Sequence, residues 1–118
     1  MKVRCTKLFD SRGTPQRASS WLTIGKVYDV LTIEFERQGQ WLIRLIGDGK
    51  SGVALFPIDS FDVVSSKVPP SWIASWNSNG FFQLAPEKWT QPEFWEQFYD
   101  REPAALSLFD EELARLIE

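Results

Sequence analysis

Apolar and polar residues alternate in short runs through the first part of the chain, with turn signals between them. Val3, Cys5 and Leu8 fall on one side of a first strand over Lys2–Leu8. Residues 10–20 are polar and punctuated by Gly13 and Pro15, which predicts a loop. After a Gly25-Lys26 turn, Val27–Phe35 alternates in two registers and reads as a bent strand whose buried face changes partway. Gln38-Gly39-Gln40 makes a turn and Trp41–Ile46 the next strand. Gly47-Asp48-Gly49-Lys50 suits the positive φ of a tight hairpin. Val53–Phe56 is a further strand, Pro57 ends it, and Phe61–Val64 is the last of this group. Short strands at this spacing, with no helical period, predict a small antiparallel barrel.

The pattern then changes. Asn77-Ser78-Asn79-Gly80 is a turn flanked by aromatic runs, so Ser71–Trp76 and Phe81–Ala85 are expected to pair as a hairpin. Thr90-Gln91-Pro92-Glu93 has the spacing of a capping box, opening a helix over Phe94–Tyr99. A second helix begins near Pro103 and runs to the end. Its apolar residues Leu106, Phe109, Leu113 and Leu116, with Ala105 and Ile117, define one face. Asp110, Glu111, Glu112 and Glu118 are expected on the other. The predicted fold is therefore α+β, mainly β: a small antiparallel barrel over residues 1–68, then a hairpin and two C-terminal helices packed on it over residues 69–118.

Composition narrows the chemistry. With 118 residues, 43% of them hydrophobic and 25% charged, the chain is long enough to bury a core. It has no histidine, which excludes imidazole-based triads, zinc sites and pH switches. Its single cysteine, Cys5, allows no internal disulfide. No apolar run reaches membrane-spanning length, and Met1-Lys2-Val3-Arg4-Cys5 is not the start of a signal peptide. The expectation is a cytoplasmic protein that acts by binding. Charge is unevenly divided: residues 1–70 carry ten Lys/Arg against seven Asp/Glu, and residues 71–118 carry three against nine. The shift falls near Pro69-Pro70; acidic helices that simply follow a mixed-charge sheet account for it, and the sharper reading is an acidic face that meets a basic partner.

Three strings resemble Src-homology-3-like barrels: Leu22-Thr23-Ile24-Gly25-Lys26-Val27-Tyr28-Asp29-Val30-Leu31, Trp41-Leu42-Ile43-Arg44-Leu45, and Gly52 through Phe56-Pro57 to Phe61-Asp62-Val63-Val64. The opening Met1-Lys2-Val3-Arg4-Cys5 and the string from Leu22 to Val30 also resemble small bacterial and phage proteins that carry this barrel. The resemblance implies a short helical bend between Pro57 and the last strand. If the barrel took proline-rich peptides, Phe9, Trp41, Pro57 and Phe61 would line the groove. Two departures argue against that. The loop after the first strand holds Arg12 and Arg17 with only Asp10, where the ligand's cation needs acids, and the spacing from Phe56-Pro57 to the next aromatic is one residue too long.

No catalytic residue, metal ligand or cofactor site is assigned. Cys5 sits in a strand with no base at a recognisable spacing and reads as a small buried hydrophobe. Glu34 and Glu36 share a strand face without an environment that marks catalysis, and residues 47–52 read as a hairpin turn instead of a phosphate loop. Nucleic-acid binding through Arg12, Arg17, Lys26, Arg37 and Lys50 is the alternative, opposed by a pI near 5.0 and the acidic tail. A bacterial or phage adaptor is a further alternative.

Residues 70–118 hold four of the six tryptophans. Pro86-Glu87-Lys88-Trp89-Thr90, then Phe94-Trp95-Glu96 and Phe98-Tyr99-Asp100, with Ala105, Phe109 and Glu112, resemble the tails of small immunity proteins encoded beside bacterial secreted toxins. The resemblance implies a non-enzymatic inhibitor of a basic toxin domain. Its binding surface is expected at Trp95, Glu96, Tyr99, Asp100, Glu102, Asp110, Glu111 and Glu112, with Trp95 or Tyr99 as the central anchor. Trp89, Phe94, Trp95 and Phe98 are the aromatics expected to cover the barrel.

Overall fold

The computed structural model describes residues 1–36 and 38–117; Arg37 and Glu118 lie outside the described residues. The molecule is mainly β, with antiparallel sheets and two helices. β1 (Lys2–Cys5) is the centre of a three-stranded sheet, flanked by β4 (Val27–Asp29) and β8 (Phe61–Ser65). β2 (Leu8–Phe9) and β3 (Pro15–Gln16) form a small ribbon. The largest sheet runs β7 (Val53–Pro57), β6 (Trp41–Ile46), β5 (Thr32–Phe35), β10 (Phe82–Pro86), β9 (Trp72–Trp76). α1 (Phe94–Tyr99) and α2 (Pro103–Leu116) complete the chain.

The bend expected in Val27–Phe35 is where the chain passes between sheets. Val30 is buried with Val3, Cys5, Tyr28 and Phe61, whereas the next residue, Leu31, is buried with Trp89, Phe94 and Phe109. One residue thus separates two cores. The first fills the space between the sheets, where Ile33, Ile43, Phe56 and Leu84 lie across from one another on one face of the five-stranded sheet. The second lies on the opposite face, under the helices.

Several sequence expectations are corrected. The first strand stops at Cys5, because Thr6 and Lys7 both turn their amides to the Ser60 carbonyl, and Leu8 restarts in the ribbon. The ribbon occupies part of the loop expected over residues 10–20, with Asp10 Oδ1 accepting from the amides of Arg12 and Thr14. Pro57 does not end β7 early but is its last residue, opposite Leu42. The hairpin around Asn77–Gly80 forms as expected, yet it does more than pack on the first unit. β10 pairs with β5, so strands from both sides of residue 68 share one sheet. Among the described residues, the hydrogen-bonded strands form three sheets and no closed barrel. The capping box also fails. Thr90 donates its hydroxyl back to the Glu87 carbonyl at 2.6 Å, closing a 3-10 turn over Glu87–Trp89, and α1 starts from Glu93 at φ 65° with no side-chain cap.

The turn at 47–52 is a hairpin, and its carboxylate is the centre of a knot. Asp48 accepts from Thr23 Oγ1 at 2.6 Å, Lys26 Nζ at 2.7 Å and Tyr28 OH at 2.9 Å. Its amide donates to the Trp21 carbonyl at 2.7 Å. A Cβ on Gly47 would stand 3.0 Å from the Trp21 ring and 3.1 Å from the Trp21 carbonyl, so a larger residue there would force Trp21 to give by a few tenths of an ångström. No helix among the described residues is long and apolar enough to cross a membrane.

The Asp48 carboxyl is held below the usual carboxylate range, first by the Lys26 hydrogen bond and then by Thr23. A carboxyl depressed in the folded state stabilises above its unfolded pKa and loses that contribution as pH falls through the folded value. Stability should therefore decline below about pH 4, and Asp48→Asn should be less stable at pH 7 with a shallower acid decline. Urea unfolding across pH 2–7 checks both; parallel profiles for the two proteins would reject the assignment.

Candidate functional site

The site is built outward from a buried charge. Register places Arg44 of β6 opposite Thr32 of β5, with Glu34 two residues along the same face. Both ionised side chains are buried, and they find each other. Arg44 Nε donates to Glu34 Oε2 at 3.0 Å and Nη2 to Oε1 at 3.2 Å, while the Thr32 hydroxyl donates to Oε2 at 2.7 Å. Arg44 Nη1 donates to the Tyr99 hydroxyl at 2.8 Å, which in turn donates to the Val53 carbonyl at 3.0 Å. The Trp95 ring covers the guanidinium, with its centre 3.8 Å from Cζ. Held in the sheet by its bidentate pair with Glu34, the arginine ties it to α1 through the Tyr99 hydroxyl and the cation–π contact with Trp95.

Behind α1, Trp89 is fully buried and stacks on Phe109 with ring centres 5.0 Å apart. Trp95 and Phe98 pack against the same rings. With α1 fixed, a cleft of about 430 Å³ remains between it and the β9–β10 hairpin. Its buried floor includes Gln83, Trp89 and Phe94, and Glu93 and Glu96 stand exposed at its rim. Three buried side-chain polar atoms have no hydrogen-bond partner among the described residues, and two belong to cleft residues: Gln83 Oε1 and Trp95 Nε1.

Beside the cleft, the other face of the sheet carries a row of aromatics across four strands. Trp41 is opposite Phe35, Phe35 opposite Phe82, and Phe82 opposite Trp76. Trp76 stacks on Phe82 at 6.3 Å and is 73% exposed. It sits on β9, an edge of the sheet.

Of the eight residues expected to form the binding surface, Glu96 lies on the cleft rim, and Trp95 lines it but is half-buried in packing against Arg44 and its aromatic neighbours. Tyr99 is exposed at its ring while its hydroxyl is engaged by Arg44 and Val53. Asp100 and Glu102 are exposed in the α1–α2 connection. Asp110 is exposed on α2, and Glu111 is exposed but 3.5 Å from Lys88. Glu112 is a correction: it is 3% exposed and paired with Arg115 at 3.2 Å and Lys88 at 3.8 Å. Its position three residues after Phe109 puts it on the apolar stripe of α2, a signal present in the spacing.

In the sequence Gln83 and the role of Arg44 go unassigned, Glu34 figures only as a carboxylate unsuited to catalysis, and Glu93 only as a capping-box residue. An arginine in the middle of an apolar strand, flanked by Ile43 and Leu45, was the available sign of a buried charge awaiting a partner. Cys5 is fully buried, and desolvation pushes its thiol up, away from the reactive thiolate. Of the residues considered for nucleic acid, Lys26 is bound to Asp48, Arg12, Arg17 and Lys50 are exposed, and Arg37 lies outside the described residues. In the groove considered for proline peptides, Phe61 is buried and Asp10 is occupied within its own loop. Among the described residues, no group of three or more Asp, Glu or Cys side chains is placed to hold a metal ion.

Tyr99→Phe should cost about 1–3 kcal/mol by leaving Arg44 Nη1 and the Val53 carbonyl without that partner. Glu112→Lys should cost about 3–5 kcal/mol, since it sets a third cation against Lys88 and Arg115, whereas Glu111→Lys should stay within about 0.5 kcal/mol. Denaturant midpoints at pH 7 measure all three, and equal effects of the two glutamate changes would contradict the burial difference. Comparison with known proteins finds no matching family model, curated protein or solved structure, so the function must be argued from these residues.

Proposed function

We propose that the chain is a non-enzymatic protein-binding module of the immunity-protein kind, inhibiting a basic toxin domain by direct contact. The observation that carries the reading is the acidic rim of Glu93 and Glu96 on an aromatic cleft beside the exposed Trp76. Residues 87–102 hold five Asp/Glu against two Lys/Arg, and one of those, Lys88, is engaged by Glu111 and Glu112. The aromatic anchor moves from Trp95 or Tyr99 to Trp76, because the first two hold Arg44. An exposed aromatic at a sheet edge next to an acidic rim suits capture of a basic protein: the charges steer the encounter and the ring supplies desolvated area. Support for a Src-homology-3-like scaffold comes from the orders β4-β1-β8 and β7-β6-β5 and from the 3-10 bend at Ile58–Ser60, which stands where the resemblance implies one. The nucleic-acid alternative loses Lys26 to Asp48.

The test is affinity capture by tagged protein from host lysate, with nuclease, at moderate and high salt. A stoichiometric basic protein should be recovered, be toxic when expressed alone, and be neutralised by co-expression of this chain. Glu93→Lys with Glu96→Lys should weaken capture at least tenfold and abolish neutralisation, with an unchanged denaturant midpoint. Recovery of nucleic acid alone, lost at high salt or after Arg12→Glu with Arg17→Glu, would overturn the proposal.

A further inference from the structure

Resting on that reading of the cleft as a partner site, we propose that it receives a side-chain carboxamide, glutamine or asparagine, from a lysine- or arginine-flanked segment of the partner. Two orphan atoms on cleft residues define what a guest must supply. Gln83 is 5% exposed and its Oε1 has no donor; Trp95 Nε1–H is buried and has no acceptor. A buried polar group without a partner is costly, and such pairs mark places where a guest or a bound water completes the structure. The guest must accept one hydrogen bond and donate another. Ammonium and guanidinium groups only donate, which leaves the indole N–H unpaired. A carboxylate only accepts and meets Glu93 and Glu96 at the rim. A carboxamide does both, its carbonyl taking the Trp95 N–H and its amine donating to Gln83 Oε1. Its planar faces also suit a cleft walled by Phe81, Trp89 and Phe94.

The flanking cations follow from the rim. Glu93 and Glu96 are exposed at the cleft with no ion-pair partner among the described residues, so neighbouring lysine or arginine side chains gain their attraction at little desolvation cost. Trp95 is preorganised for its role, since Arg44 fixes its ring. Both orphan atoms are closed off from solvent, so entry requires the cleft lining, which includes the segment Gln91-Pro92-Glu93, to give. That segment contains Glu93 at φ 65°, a left-handed conformation that a non-glycine residue holds only under constraint.

Titration of the ¹⁵N-labelled full chain with acetyl-Lys-Gln-Lys-amide, against the same peptide with leucine at its centre, tests the inference. The Trp95 indole N–H resonance, assigned by its loss in Trp95→Phe, should move with the glutamine peptide, which should bind about tenfold more tightly than the leucine peptide. Gln83→Leu removes the acceptor while keeping a buried side chain of similar length, and should abolish the preference; Gln83→Met serves if that variant does not fold. Equal affinities, or an unmoved Trp95 resonance, would mean that water or nothing completes the pair, and would overturn the proposal. The captured basic protein separates this failure from failure of the broader reading. If Gln83→Leu still captures it and the Glu93→Lys, Glu96→Lys protein does not, only the carboxamide subsite is lost. If both variants capture it fully, the acidic cleft is not the partner site.

Discussion

The buried guanidinium of Arg44 is the constraint on which the candidate site depends. A charge in the middle of a sheet is unfavourable unless every donor is met, and here the sheet alone meets only part of the need. Glu34 takes Nε and Nη2, but Nη1 and the open face of the guanidinium require Tyr99 and Trp95, both from α1. The helix depends on the arginine in return. It has six residues, too few to be stable alone, and begins without a side-chain cap. Its position is therefore set by what it docks against: the aromatic cluster around Trp89 and Phe109, and Arg44. The cleft exists because that docking stops short of the β9–β10 hairpin.

This arrangement divides the acidic residues into two kinds. Glu34, Asp48 and Glu112 are structural, each facing a cation at 2.7–3.2 Å. Glu93, Glu96, Asp100 and Glu102 are exposed along α1 and its flanks. Composition reports only the sum, so the acidic excess of the last fifty residues looked like one surface. In three dimensions Glu112 leaves that surface for the interior, and Glu111 is partly neutralised by Lys88.

What the sequence made legible follows from the range of each interaction. The short apolar runs placed β1, β6 and β8, and a change of face partway through Val27–Phe35 was legible; that it separates two strands of different sheets and two cores, at Val30 and Leu31, is seen only in the structure. The Asn77–Gly80 turn was readable because Asn77 acts locally, its Oδ1 accepting from the Asn79 amide at 2.9 Å. The pairing of β10 with β5 was not readable, since Phe82 and Phe35 are far apart in the chain and β10 alternates as well against any edge. The Arg44–Tyr99 contact spans 55 residues and leaves no local pattern. Thr90 shows the opposite error. Its spacing to Glu93 fitted a capping box, but Thr90 ends the preceding 3-10 turn in an αR conformation and Glu93 itself takes the N-cap position, so neither residue stands where the box needs it.

Two of the edge strands, β8 and β9, differ in how open they leave the sheets to further pairing. β8 exposes Val63 and Val64, but Asp62 precedes them and Lys67, Pro69 and Pro70 follow, residues that discourage further strand pairing. β9 reads Trp72-Ile73-Ala74-Ser75-Trp76, without a charge or a proline, and exposes Ile73 and Trp76. In a chain without a partner such an edge is an aggregation liability. Here it lies beside Glu93 and Glu96, whose charge repels a second copy presenting the same surface. Apolar edge and acidic rim thus act in opposite senses on self-association: the edge favours strand pairing between copies and the like charge next to it opposes their approach.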